Sequence, residues 1–232
     1  VFIPLAEERG LIIKLGYIVI DRAFAELANW RQQGFNITVS INLSKRQILD
    51  TEFPTRLVEI AAQHHVQPDW VILEATERQP ILGHPIGRKR LEELSLIGFR
   101  LSVDDFGSGY SSFDLVGEMP FNELKLCSGM VRKIQTAKGQ RIVQAVVDMS
   151  KTLGLLVVAE GVETEEIRTV LNALGVHKLQ GYLFAKPLGP ADMLDFINKQ
   201  MEAAAAKGDG TTLRKASVLY AKQTIDPELT SF

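Results

Sequence analysis

The chain has 232 residues, enough for one large domain or two small ones, and its 46% hydrophobic and 23% charged residues are the balance of a globular protein with a sizeable core. A net charge of −2 argues against DNA or RNA as a partner, because neutralising a phosphate backbone takes clustered Lys and Arg; a local anion site stays open. The single cysteine, Cys127, excludes an intrachain disulfide and suits a reducing compartment, and no apolar run approaches the roughly 18 residues of a membrane span.

Val1-Phe2-Ile3-Pro4 runs straight into a helical pattern without an initiator Met or a signal peptide, which predicts a piece of a longer protein. A helix pattern over Leu11–Arg31 leads to the β-branched run Ile37–Asn42 (ITVSIN). Pro54–His65 leads to Val71–Ala75 (VILEA), and Gly87–Ile97 to Phe99–Asp104 (FRLSVD). The run Phe121–Cys127 (FNELKLC) is followed by helical periodicity over Met130–Leu153. Leu155–Glu160 (LLVVAE) precedes a helix at Thr164–Leu174, and Leu179–Phe184 (LQGYLF) precedes one at Pro190–Lys207. Thr164-Glu165-Glu166 reads as a helix start, with carboxylates at the positive end of the dipole. Met201–Phe232 changes character, from AAAAKGDG to mixed polar residues. It predicts the end of a helix, a flexible Gly-Asp-Gly joint and an extra helix or loose tail. The expected division is a domain over 1–200 and a tail over 201–232.

Continuous apolar strands alternating with helices indicate an α/β fold with a parallel sheet covered by helices. An open doubly wound sheet and a closed barrel both fit that alternation, and the polar residues favour the barrel. Asn42, Glu74, Asp104, Lys125, Glu160 and Gln180 each sit at or near the C-terminal end of a different run. In a (β/α) barrel those ends converge on one mouth, where active sites lie; on an open sheet, distant strands stay apart. Six visible strands fall short of eight, so closure is expected to need about two more from upstream of Val1.

Asp104-Asp105-Phe106-Gly107-Ser108-Gly109-Tyr110-Ser111-Ser112 is the strongest local signal. Two adjacent carboxylates at a strand end suit hard cations, which take oxygen ligands, and the glycines let the loop turn close to a ligand. An isolated DDFG would serve equally well as a strand-to-helix loop. Glu74 is a carboxylate in an apolar strand. Asn42 is a ligand candidate or a helix cap, a role Ser44 could also fill. Lys125, between Leu124 and Leu126, is costly inside a strand unless it faces acids or an anion. Glu160 ends the VVA strand, and Gln180-Gly181 offers an amide and close approach. Acids around two metals with one lysine would neutralise a phosphodiester and lower a bound water's pKa from about 15.7 towards about 7. That is metal-assisted phosphodiester hydrolysis.

These segments resemble the EAL-domain phosphodiesterases of bacteria, which hydrolyse cyclic di-GMP to linear pGpG using Mg2+ or Mn2+. The resemblance runs from Phe2-Ile3-Pro4-Leu5-Ala6-Glu7 to about Ile197. INLS at 41–44, LEATE at 73–77, DDFGSGYSS at 104–112, ELK at 123–125, VVAEGVET at 157–164 and QGYLFAKPL at 180–188 carry it in order. It implies that Asn42, Glu74, Asp104, Asp105 and Glu160 are ligands of two Mg2+ or Mn2+ ions. It implies that Lys125 contacts the attacking water or the phosphate, sharing the catalytic role with Glu160. Gln180 and Glu163 would lie in the substrate and metal surroundings. Glu77 would anchor the loop after Asp105, which in this family couples the site to a homodimer interface. The implied fold is a modified (β/α)8 TIM-like barrel with an antiparallel first strand, of which the six strands here are the last six. The implied location is cytoplasmic, or the cytoplasmic part of a membrane-anchored protein, with a sensor, receiver or diguanylate-cyclase domain upstream.

Two departures stand out. The Glu-Ala-Leu segment that names the family is absent from this chain, and Cys127 occupies the position two residues after the lysine where active members usually carry Asp. A soft thiol suits Mg2+ poorly. The competing expectation is therefore a degenerate EAL domain that acts as a non-catalytic cyclic di-GMP receptor or interaction module.

Overall fold

A computed structural model describes residues 2–76, 83–108, 113–206 and 216–219. Glu77 and residues 109–112 of the DDFG loop lie outside the described residues. In chain order the elements are α1 (Phe2–Glu8), α2 (Ile12–Gln32), β1 (Ile37–Leu43), α3 (Lys45–Leu49), α4 (Phe53–Gln63), β2 (Val71–Thr76), α5 (Pro85–Ile97), β3 (Arg100–Phe106) and α6 (Phe113–Gly117). They continue as β4 (Glu123–Leu126), α7 (Ser128–Lys133), α8 (Ala137–Thr152), β5 (Leu156–Glu160), α9 (Glu165–Ala173), β6 (Lys178–Gln180), α10 (Pro190–Ala206) and β7 (Ala216–Leu219). Among the described residues, no helix is long and apolar enough to cross a membrane.

The chain divides into two compact units, Val1–Ile72 with Pro187–Phe232, and Leu73–Lys186. In the first, α2 buries Ile20, Ala23, Phe24, Leu27 and Trp30, a stripe at helical spacing. Arg31 ties the helix end to the following strand by donating from Nε to the Ile37 carbonyl at 2.9 Å. Ser44, not Asn42, caps α3. Its hydroxyl accepts from the Gln47 amide and the Gln47 side chain accepts from the Ser44 amide, a complete capping box. The segment expected to be an extra helix or loose tail contains β7, which pairs in parallel with β1, Ile37 opposite Ala216 through Ser40 opposite Leu219.

In the second unit the strand order is β2-β3-β4-β5-β6, and the pairs β3/β4, β4/β5 and β5/β6 run parallel. β4 is buried at every position and β5 at all but its first, the pattern of strands covered on both faces. Two expected boundaries change. Met130–Leu153 is two helices: the backbone turns extended at Thr136, whose hydroxyl accepts from the Gly139 amide and starts α8 afresh. The run Leu179–Phe184 stays a strand only to Gln180. Beyond it the Phe184 amide donates to the Gly181 carbonyl, closing a turn, and a Cβ on Gly181 would overlap the Val162 backbone.

Candidate metal centre

In a regular strand Asp104 and Asp105 would point to opposite faces of the sheet. β3 avoids this with a bulge. Val103 pairs with Leu124 but Phe106 with Leu126, so β3 holds one residue more than β4 over that span. Asp105 takes up the irregularity in the left-handed region, at φ 59, one of two non-glycine residues with positive φ among the described residues. Asp104, Asp105 and Glu160 consequently bring carboxylate oxygens within 4.8 Å of one another.

Lys125 lies at the centre. Its Nζ is 2.6 Å from Glu74 Oε2, 2.7 Å from Glu160 Oε1 and 3.2 Å from Asp104 Oδ1, and all four side chains are buried. The acids arrive from β2, β3 and β5 and the lysine from β4. One ammonium can reach all three only because this sheet curls. Burial alone would lower the pKa of Lys125, but the three carboxylates outweigh it and raise it from its ordinary value. Glu74 is raised as well. Burial is the main cause; Lys125 opposes it, and the charges of Asp104 and Glu160 add to it.

Among the described residues, three buried carboxylates face one ammonium, and Asp105 lies beside them. Uncompensated charge in a low-dielectric interior is expensive. The raised carboxyl of Glu74 shows one way to relieve it, by taking a proton. A divalent cation is the other, and an all-oxygen donor set of this density fits a hard cation. Among the described residues Cys127 does not join this group; it is buried at the end of β4, where its amide donates to the Phe106 carbonyl and its residue precedes α7.

The remaining sequence-derived candidates spread out. Gln180 lies opposite Glu160 on β6, and its carbonyl accepts from the Val162 amide. Glu163 is exposed in the loop after β5. Asn42 belongs to the first unit, where its Nδ2 is buried without a hydrogen-bond partner among the described residues. Sequence reading missed a second ionic cluster. Glu123, buried at the start of β4, pairs with Arg100 at the start of β3 and with Lys178 at the start of β6. The signal was present in Glu123-Leu124-Lys125-Leu126, whose two charged residues share a face of the strand.

A parallel α/β sheet whose strand ends gather acids around a buried lysine defines a barrel-type protein with an acidic cation site. The chain belongs to the EAL domain family, which residues 1–187 match. It is 36% identical over 195 residues to the bifunctional diguanylate cyclase/cyclic di-GMP phosphodiesterase MucR of Pseudomonas aeruginosa, a match covering 83% of this chain and 28% of MucR. The structure of the PaMucR phosphodiesterase in complex with c-di-GMP superposes with a TM-score of 0.78 at 36% identity, over 83% of this chain and 78% of that one. The manganese and cy-diGMP complex of Klebsiella pneumoniae BlrP1 at pH 9.0 gives a TM-score of 0.69 at 32% identity, over 75% of this chain and 45% of that one. The chain spans 25% to 28% of the length of the curated relatives compared.

Proposed function

We propose that this chain carries the site of a metal-dependent phosphodiesterase that hydrolyses cyclic di-GMP to linear pGpG. The observation that carries the reading is the position of Lys125 among Glu74, Asp104 and Glu160, with Asp105 turned towards the same place. Asn42, Glu74, Asp104, Asp105 and Glu160 would hold two ions, Mg2+ or Mn2+. Such ions supply an activated water near neutral pH and polarise the phosphoryl oxygens.

The protein's own groups do the rest. Lys125 stays charged; its three N–H donors face Glu74, Asp104 and Glu160, and once ions hold those acids one donor would turn to the attacking water or the phosphate. Glu160 orients that donor by its 2.7 Å contact. Gln180 and Glu163 serve the surroundings of the substrate, and Glu77 the loop after Asp105. The relatives' names and complexes support cyclic di-GMP as substrate, and the diguanylate cyclase in MucR's name supports an upstream domain of that kind, with a sensor or receiver domain as the other options. A homodimer and a cytoplasmic location complete the proposal.

Cys127 favours a second reading, a receptor that binds cyclic di-GMP without turnover. It is buried at the end of the strand that carries Lys125, and a thiol adds no hard ligand there. Incubating the intact parent protein with cyclic di-GMP and Mn2+ separates the two. The enzyme reading expects pGpG; binding without product would overturn it in favour of the receptor.

A further inference from the structure

We infer that Met130 is a positioning residue for Asp105, acting through Gly107. The inference rests on the reading of Asp105 as a metal ligand and asks what holds it in place. A left-handed Asp is strained and persists only where its surroundings over-determine it. Asp105 is at φ 59, and its carbonyl accepts from the Ser108 amide at 3.1 Å, which closes the turn Asp105-Phe106-Gly107-Ser108. Inside that turn Gly107 is also left-handed, at φ 89.

What presses on the turn from outside is α7. The Met130 sulfur lies so close to Gly107 that a Cβ built there would overlap Sδ. Met130 is itself anchored, its amide donating to the Cys127 carbonyl at 3.0 Å, while the Cys127 amide donates to the Phe106 carbonyl at 3.2 Å. On the other flank the Phe106 ring packs on Phe113 at a centroid distance of 4.8 Å. The turn is thus pinned through its main chain by β4 and capped on its glycine by a thioether. Without that cap the turn has room to relax, and Asp105 can leave the left-handed region and carry its carboxylate away from Asp104 and Glu160. Met130 is not among the proposed ligands, and its proposed influence is on the geometry of Asp105.

The test uses Mn2+ alone, titrated into the whole chain and followed by electron paramagnetic resonance, together with the backbone and Cβ chemical shifts of Asp105 in metal-free protein. Met130→Ala is expected to weaken Mn2+ binding about tenfold, the scale seen when a supporting group of a metal site is lost. It is also expected to move the Asp105 shifts away from left-handed values. Met130→Leu restores both, and in an Asp105→Asn background Met130→Ala adds nothing. If Met130→Ala does not fold, Met130→Val gives the same comparison. Wild-type affinity and wild-type Asp105 shifts in the folded variant would overturn the inference. If Asp105→Asn alone leaves Mn2+ affinity unchanged, the ligand reading fails and the inference with it. If Asp105→Asn weakens binding and Met130→Ala does not, only the inference fails.

Discussion

The Lys125 ammonium lies 2.6 Å from Glu74 Oε2 with both side chains buried, although β3 stands between their strands. Because Asp104 and Glu160 share the same nitrogen, the lysine is the counter-charge of a whole layer of the unit. Lys125→Met removes it and leaves three acids facing each other in the interior. Breaking a buried ion pair on one side costs about 3–5 kcal/mol. Urea unfolding of the variant should show that loss in the absence of metal.

Cations should act on the same acids from the other side. A ligand at about 100 times its Kd stabilises the folded state by about 2.7 kcal/mol. Mn2+ at that level should raise the urea midpoint of the wild-type chain accordingly, and EDTA should reverse the gain. In Asp104→Asn the gain should shrink.

Asp104→Asn keeps the shape of the side chain while removing its charge and one carboxylate oxygen. Supporting groups of metal sites are worth about 10–100-fold, and a direct ligand should reach at least the upper figure. The variant should form pGpG about 100-fold more slowly than wild type, as measured by chromatographic separation of product.

Cys127→Asp adds a hard ligand at the end of β4. It also adds a negative charge at a buried position next to a site already rich in acids. Stability without metal should therefore fall, and Mn2+ should restore more of it than in wild type. The hydrolysis rate should rise by about 10–100-fold, the scale of a supporting metal-site group. An unchanged rate would mean that the cysteine is tolerated.

β7 covers the edge of β1 from Ile37 to Ser40. A bare strand edge exposes unpaired N–H and C=O groups and invites association. Deleting residues 207–232 should raise hydrogen exchange at the amides of β1 and increase light scattering, with little change at the amides of β4 and β5.

Much of the fold was legible because buried parallel strands announce themselves as β-branched runs. Ile37–Asn42, Val71–Ala75 and Leu155–Glu160 each fall within a residue of the observed β1, β2 and β5. The helix break at Thr136 was hidden, because apolar periodicity continues on both sides of it and only the cap ends the first helix. β6 was overextended because Leu183 and Phe184 look like strand residues, whereas a backbone contact at Gly181 bends the chain away. Within the site, the meeting of Glu74, Asp104, Lys125 and Glu160 follows from their places at strand ends. The bulge at Asp105 does not, since nothing in DDFG states which residue is left-handed. The partners of Glu123 were illegible for a related reason: Arg100 and Lys178 are 23 and 55 residues away and meet it only once β3, β4 and β6 are in register.

The most direct test of the central claim is the conversion of cyclic di-GMP to pGpG by the intact parent protein that contains this chain, by its Glu160→Gln variant and by the parent in EDTA, each assayed at saturating nucleotide. The account predicts product with Mn2+ in the wild-type parent, and little or none in the variant or in EDTA. Cyclic di-GMP that is bound but intact in the wild-type parent at saturating Mn2+ would contradict it.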